Sequence, residues 1–132
     1  NNEVDCIQIL EKLEKKNDII SLPKIKKNFQ MDFIQWSSKE PLVINKFGIP
    51  EPSNGKIKFP DILLIPLLSF DKKLNRVGYG GGFYDRYIHR IRRKKKPLLV
   101  GLAYSFQRVK SIPLNRYDKK LDFVVTEKKI IE

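Results

Sequence analysis

An uninterrupted apolar run, Ile62–Ile65, lies between two prolines and constrains the fold more than any other segment of the chain. The run is too short for a helix, and its composition favours a strand that is covered on both faces. Residues 98–103 and 121–125 repeat this pattern, and the apolar spacing of residues 83–96 predicts an amphipathic helix between the first two runs. Short buried strands that alternate with helices predict an α/β domain with a mainly parallel sheet, whose ligand sites lie beyond the carboxyl ends of its strands.

The first 60 residues are predicted to add a helix and two strands. In residues 5–16 the apolar side chains recur on one helical face, which predicts an amphipathic helix. Residues 19–22 are typical of a short strand that ends where Pro23 removes a hydrogen-bond donor. Residues 29–33 alternate apolar and polar side chains, which predicts a half-buried strand. Residues 47–60 are rich in Gly and Pro, which predicts a loop.

Composition limits the class of protein. The 132 residues are enough for one domain but too few for two independent ones, so residues 1–132 are assigned to a single domain. The excess of 27 Lys+Arg over 15 Asp+Glu gives a net charge of +12, which attracts nucleic acid, nucleotides or polyglutamate, although solvated lysines alone produce such an excess. With one cysteine, Cys6, and one histidine, His89, a zinc site is not expected. The chain begins with Asn1 and shows no leader, so we expect a cytoplasmic protein with no membrane partner.

The segment from Arg76 to Arg86 contains four glycines among its eleven residues and opens directly into the predicted helix. Glycine tolerates positive φ and lets backbone amides approach a ligand closely, so such a loop can cradle phosphates, and the helix start adds unpaired N–H groups. It is not a P-loop, because no Gly-Lys-Ser/Thr closes it, and Phe83 stands where the dinucleotide fingerprint requires a third glycine. A tight strand-to-helix turn without a ligand is the alternative.

A carboxylate in the first turn of this helix, Asp85, suits the helix dipole but would repel a phosphate bound to the same amides. A divalent cation between the two resolves the conflict, because magnesium commonly binds one or two carboxylates together with nucleotide phosphates. Asp118 is the predicted second ligand. Helix capping without a metal is the alternative role for Asp85.

Ordered motifs along nearly the whole chain carry a resemblance to a known family. The most specific is Arg76-Val77-Gly78-Tyr79-Gly80-Gly81-Gly82-Phe83-Tyr84-Asp85-Arg86. The flanking matches are Glu3-Val4-Asp5, Leu22-Pro23, Met31, Gly48-Ile49-Pro50-Glu51-Pro52, Ile62–Ile65 with Pro66, Ser69-Phe70-Asp71, Gly101-Leu102-Ala103-Tyr104, Gln107, Pro113, Asp118, Leu121-Asp122 and Thr126-Glu127. Together these residues resemble the signature of the 5-formyltetrahydrofolate cyclo-ligases, also called methenyltetrahydrofolate synthetases.

The resemblance implies roles for particular residues. It implies ATP binding by Arg76, Val77, Gly78, Tyr79, Gly80, Gly81, Gly82, Phe83 and Tyr84. It implies contact with the folate substrate by Glu3, Tyr79, Gly80, Gly81, Gly82 and Phe83. Magnesium would be held by Asp85 and Asp118.

The resemblance also implies a three-layer α/β/α domain of the NagB/RpiA/CoA transferase-like fold. Family members usually begin with a basic helix that grips ATP phosphates, followed by another helix and a strand, and none of these precedes Asn1. We therefore expect an N-terminally shortened domain, either a fragment or a shortened gene product. Two departures affect the fine geometry of the site: Tyr117 stands where His often precedes the aspartate, and Leu67-Leu68 replace smaller residues.

The implied activity is the ATP- and magnesium-dependent conversion of 5-formyltetrahydrofolate to 5,10-methenyltetrahydrofolate, with release of ADP and phosphate, in one-carbon metabolism. The expected partner is a small-molecule folate, with or without a polyglutamate tail, and the expected state is a monomer. A truncated, non-catalytic protein that binds nucleotide or folate is one alternative. A nucleic-acid-binding module built on the basic residues 89–96 is another, although a basic helix C-terminus also suits the helix dipole.

Overall fold

The computed structural model describes residues 4–114 and 119–132. These residues form two compact units, Asp5–Pro60 in one and Val4 with Asp61–Glu132 in the other. Both α-helices and β-strands are present, so the chain is of the α/β class. No helix in the described ranges is long and apolar enough to span a membrane. The assignment of residues 1–132 to a single domain stays a prediction.

The unit formed by Asp5–Pro60 contains one helix and two antiparallel sheets. Its elements are α1 (Ile7–Lys15), β1 (Ile20–Ile25), β2 (Met31–Trp36), β3 (Leu42–Ile44), β4 (Pro50–Pro52) and β5 (Ile57–Lys58). Strands β1, β2 and β5 form one sheet with β2 in the centre, and β3 pairs with β4. Helix α1 confirms the helix predicted within residues 5–16. The prediction that residues 47–60 are a loop is wrong in part, because they contain β4 and β5.

Two strand predictions in this unit need correction. Strand β1 does not end at Pro23, which pairs in register with Phe33 of β2. Proline is tolerated there because β1 lies at the edge of its sheet, where one side needs no hydrogen-bond donor. Strand β2 is buried on both faces rather than half-buried, and its polar residue Asp32 is compensated by Lys26, whose Nζ lies 3.1 Å from Oδ2.

The unit that contains Asp61–Glu132 is built on a four-stranded sheet. Its elements are β6 (Ile62–Ile65), β7 (Ser69–Phe70), β8 (Arg76–Val77), α2 (Phe83–Ile91), β9 (Leu98–Leu102), a short 3₁₀ helix (Ser105–Gln107), β10 (Phe123–Val125) and β11 (Ile130–Ile131). The sheet order is β11-β10-β9-β6. Strands β6, β9 and β10 are parallel, and β11 is antiparallel to β10. The mainly parallel arrangement predicted from the apolar runs is confirmed in this sheet, and the chain as a whole has mixed pairing.

Close packing in the core leaves no room for a side chain at Gly101 of strand β9. A Cβ atom added to Gly101 would lie 2.7 Å from Leu121 Cδ1 and 2.9 Å from Leu67 Cδ2. The prediction that Ile62–Ile65 is covered on both faces is wrong at its first residue, because Ile62 is exposed whereas Leu63 and Ile65 are buried. At the start of strand β6, Ile62 therefore lies on an exposed face and Leu63 on the core face.

Helix α2 is shorter than the predicted helix over residues 83–96. It ends at Ile91, and the backbone amides of Lys94 and Lys95 both donate to the carbonyl of Ile91 in a closing turn. Pro97 follows shortly after, and a proline disfavours helical dihedrals at the residue before it. The buried residues Tyr87, Ile88 and Ile91 lie on the face that the sequence predicted.

The turn between β7 and β8 is organised by the buried carboxylate of Asp71. Its Oδ1 accepts hydrogen bonds from the backbone amides of Lys73 at 3.0 Å and Asn75 at 3.1 Å. Its Oδ2 accepts from Asn75 Nδ2 at 3.2 Å and from the amide of Ile112 at 3.0 Å. Burial raises the pKa of this carboxyl, but the hydrogen bonds from Asn75, Ile112 and Lys73 outweigh burial and lower the pKa below 3.8.

We expect Asp71→Asn to lower the free energy of unfolding by about 2 kcal/mol, because an amide group would face donors that now meet a carboxylate. Since the folded-state pKa is lowered, the stabilisation is complete above pH 3.8 and is lost as the pH falls through the folded-state value. Urea unfolding of both proteins should therefore show a constant difference near neutral pH that shrinks in acid. A difference that grows on acidification would contradict this assignment.

Candidate functional site

The glycine-rich loop connects β8 to α2 and adopts a conformation that few other residues tolerate. Gly80, Gly81 and Gly82 have φ values of +96°, +77° and +66° in succession. A Cβ atom added at Gly80 would meet no atom within 4 Å, so the space beside this residue is open. Three adjacent residues in the left-handed region explain why the sequence places glycine at each of them.

The loop follows the buried strand β6 in the chain, and the hairpin of β7 and β8 lies between the two. The residues predicted to bind ATP, 76–84, therefore comprise strand β8, the loop and the first residues of α2. The hairpin returns the chain to the end of β6, since the amide of Leu68 donates to the carbonyl of Val77 at 2.8 Å.

Arg76 lies largely buried beneath the loop, with 8% of its side chain exposed. Its Nη2 atom lies 3.3 Å from Asp85 Oδ1, and its Nη1 donates to the carbonyl oxygen of Pro66 at 3.4 Å. The guanidinium carbon is 6.0 Å from the ring centroid of Tyr84. Its Nε is a buried donor without a hydrogen-bond partner among the described residues. A fixed positive charge thus lies between β8 and the first turn of α2.

The carboxylate of Asp85 faces this charge and remains partly exposed, at 25% of its side chain. Its Oδ1 also accepts from the backbone amide of Lys119 at 3.4 Å. Glu3 and Asp118, which the sequence assigned to the substrate and to magnesium, lie outside the described residues. Within residues 4–114 and 119–132, no group of three or more His, Cys, Asp or Glu side chains is placed to hold a metal ion. The assignment of magnesium to Asp85 and Asp118 stays a prediction.

A second arginine contacts the loop, and sequence reasoning gave it no role. Arg86 lies on α2 and donates through Nη1 to the carbonyl oxygen of Gly81. A Cβ atom added to Gly82 would lie 2.8 Å from the same Nη1. Its position four residues after Gly82, one helical turn away, is the signal from which this contact could have been anticipated.

The loop is tied to the end of β6 through a buried glutamine. Tyr79 donates its hydroxyl to the carbonyl oxygen of Leu67 at 3.3 Å. Gln107 Nε2 donates to the same oxygen at 3.0 Å and to the carbonyl of Leu68 at 3.2 Å. Gln107 Oε1 accepts from the amide of Tyr104, two residues after β9, at 2.7 Å. Sequence reasoning noted Gln107 only as a motif residue, and backbone carbonyl acceptors leave no signal in a sequence.

Aromatic rings lie near this glutamine. The rings of Tyr104 and Phe106 stack with centroids 5.5 Å apart and planes inclined by 6°. Phe106 is 64% exposed and Tyr79 is 48% exposed. The turn that carries the stacked pair is held by Glu127, whose carboxylate accepts from the amide and hydroxyl of Ser105 at 2.6 and 3.2 Å. The hydrogen bond from the backbone amide of Ser105 lowers the pKa of the Glu127 carboxyl.

These features define an α/β protein with a glycine-rich loop that is tied to the chain just beyond the carboxyl ends of the parallel strands β6 and β9. The model of the 5-formyltetrahydrofolate cyclo-ligase family matches residues 1–127. The chain therefore belongs to the 5-formyltetrahydrofolate cyclo-ligase family, which is a family of enzymes.

Individual relatives agree with this membership. A 5-formyltetrahydrofolate cyclo-ligase of Haemophilus influenzae is 36% identical over 92% of this chain and 68% of its own length. A probable 5-formyltetrahydrofolate cyclo-ligase of Schizosaccharomyces pombe is 32% identical over 89% and 65%. The solved structure of Aquifex aeolicus 5,10-methenyltetrahydrofolate synthetase superimposes with a TM-score of 0.78 at 33% identity, over 97% of this chain and 64% of that one. The chain spans about two thirds of the length of these relatives.

We expect Gly78→Ala to destabilise the protein by about 1 kcal/mol. The added Cβ would lie 2.6 Å from Arg76 Nη1 and would displace the guanidinium from its contacts with Asp85 and Pro66. In an Arg76→Met background the same substitution should cost little, since the guanidinium is absent. Urea unfolding followed by circular dichroism measures both steps, and an equal cost in the two backgrounds would contradict the role given to Arg76.

Proposed function

We propose that this chain converts 5-formyltetrahydrofolate to 5,10-methenyltetrahydrofolate and couples the reaction to the cleavage of ATP into ADP and phosphate. The observation that carries the proposal is the run of left-handed glycines, open at Gly80, which leads into α2 between the guanidinium groups of Arg76 and Arg86. Bare backbone beside a helix N-terminus and two cations suits a polyphosphate. Family membership supplies the substrate class, a reduced folate.

The reaction requires no nucleophile from the protein. The formyl oxygen attacks the terminal phosphorus of ATP, and the bond to ADP breaks. A neighbouring folate nitrogen then attacks the activated formyl carbon, the carbon–oxygen bond breaks to release phosphate, and the nitrogen loses its proton. Catalysis therefore consists of orienting two substrates and neutralising phosphate charge, which a site without a reactive Cys or His can do.

Each part of the loop has a task in this proposal. The amides around Gly80 bind phosphate oxygens, Arg76 supplies fixed positive charge below the loop, and Tyr79 contacts the folate. Asp85 offers a hard oxygen ligand that is partly exposed beside these amides, which fits magnesium. When bound there, with Asp118 as the second ligand, the ion would neutralise charge on the transferred phosphoryl group.

We propose that the unit containing Asp61–Glu132 is part of a three-layer α/β/α domain of the NagB/RpiA/CoA transferase-like fold. The parallel strands β6, β9 and β10, together with α2 between β6 and β9 in the chain, support this assignment.

We expect Asp85→Asn to lower turnover by more than about tenfold, because the neutral amide is a poorer magnesium ligand and a poorer partner for Arg76. The matched control is Asp61→Asn, which removes the same charge from an exposed ion pair with Lys95 at 2.7 Å. Formation of the methenyl product is followed by its near-ultraviolet absorbance after addition of ATP, magnesium and the formylfolate. Equal turnover in the two variants would overturn the role of Asp85. ATP binding without turnover in the unaltered chain would favour a non-catalytic binding protein.

We expect Gly80→Ala to weaken ATP binding by about tenfold or more, because a methyl group would enter the open space beside the loop. Gly48→Ala is the matched control, since Gly48 also has a positive φ, +76°, and open space at the position of a Cβ atom. Both substitutions impose similar backbone strain of about 1 kcal/mol. Calorimetric titration with ATP distinguishes the two sites, and similar losses of affinity in both variants would contradict phosphate binding at Gly80.

A further inference from the structure

We infer that Gln107 is a positioning residue that sets the place of the Tyr79 ring for the folate substrate. The inference rests on the proposed function, in which Tyr79 contacts the substrate. Gln107 itself is buried, with 5% of its surface exposed, so it acts through the groups to which it is hydrogen-bonded.

The hydrogen bonds of Gln107 fix its amide in one orientation. Its nitrogen faces two backbone carbonyls, Leu67 at 3.0 Å and Leu68 at 3.2 Å, and carbonyls only accept. Its oxygen faces the amide N–H of Tyr104 at 2.7 Å, and this group only donates. A flipped amide would oppose donor to donor and acceptor to acceptor at all three contacts. The side chain is therefore a rigid bridge between the ends of β6 and β9.

Tyr79 is tied to the same bridge. Its hydroxyl donates at 3.3 Å to the Leu67 oxygen that also accepts from Gln107. A carbonyl oxygen has two lone pairs, so it can serve both donors at once. Because Tyr79 is 48% exposed, packing covers only part of its ring, and the hydroxyl contact with Leu67 is one of the interactions that hold the ring in place. Movement of the Leu67 carbonyl would carry the ring with it.

The distances also explain why glutamine is needed rather than any residue of similar volume. A methionine would fill the space but would leave the carbonyls of Leu67 and Leu68 and the amide of Tyr104 without these partners. A glutamate would keep the acceptor for Tyr104 but would place a carboxylate oxygen against two carbonyl oxygens. Gln107→Glu therefore breaks the bridge on the side that leads to Tyr79 and preserves it on the other.

The test is a double-mutant cycle between Gln107→Glu and Tyr79→Phe, with KM for the formylfolate as the readout. We expect Gln107→Glu to raise this KM about tenfold in the unaltered protein and less than about threefold when Tyr79→Phe is already present. The control is Asp71→Asn, which destabilises the same unit through bonds to Lys73, Asn75 and Ile112 and should leave this KM unchanged. Additive effects in the cycle, or the same rise in KM for Asp71→Asn, would overturn the inference.

A second measurement separates this inference from the proposed function. In protein without substrate, the ring resonances of Tyr79, observed by NMR with labelled tyrosine, should shift in Gln107→Glu and not in Asp71→Asn. If the unaltered chain forms no methenyl product, the proposed function fails, while a shift of the Tyr79 signals would still support the bridge. Tyr79 signals that are unchanged in Gln107→Glu overturn the bridge whatever the activity.

Discussion

The backbone carbonyls that follow strand β6 need hydrogen-bond donors, and the groups that supply these donors determine the rest of the site. The parallel ladder with β9 stops at Ile65, so the following carbonyls of residues 66–68 are beyond its reach. Backbone carbonyls that are buried need donors. Arg76, Tyr79 and Gln107 supply them, one from β8, one from the glycine loop and one from the turn after β9. The positions of all three segments therefore depend on the point at which one strand leaves its sheet.

Two carboxylates on either side of strand β8 illustrate how similar groups take different roles. Asp71 accepts four hydrogen bonds of 3.0 to 3.2 Å from amides and is almost fully buried, so it is committed to the turn. Asp85 is a quarter exposed, and its contacts with Arg76 and Lys119 are longer, at 3.3 and 3.4 Å. Bonds at the long end of the accepted range are weaker. Asp85 is therefore the carboxylate that can exchange its partners for an incoming ligand.

Sequence reasoning succeeded where one residue type has one strong local preference. Short apolar runs located β6, β9 and β10, and consecutive glycines located the left-handed loop. It failed where tertiary position decides the outcome, since Pro23 continues β1 only because that strand lies at a sheet edge. The role of the Leu67 carbonyl could not have been found from the sequence, because every residue carries a backbone carbonyl that offers the same acceptor. Glu3 rests on the resemblance alone, and Asp118 rests on the resemblance together with the preference of magnesium for carboxylate ligands.

The bridge made by Gln107 joins residues 40 positions apart, and the bond from Ile112 to Asp71 spans 41. Contacts of such separation form late, because closing a long loop costs entropy before any bond rewards it. A chain emerging from the ribosome can therefore complete α2, and the contact of Arg86 with the glycine-rich loop, before Gln107 is available. The carbonyls of Leu67 and Leu68 gain this partner only after residue 107 has been synthesised, so the part of the site around Tyr79 is completed after the glycine-rich loop and α2.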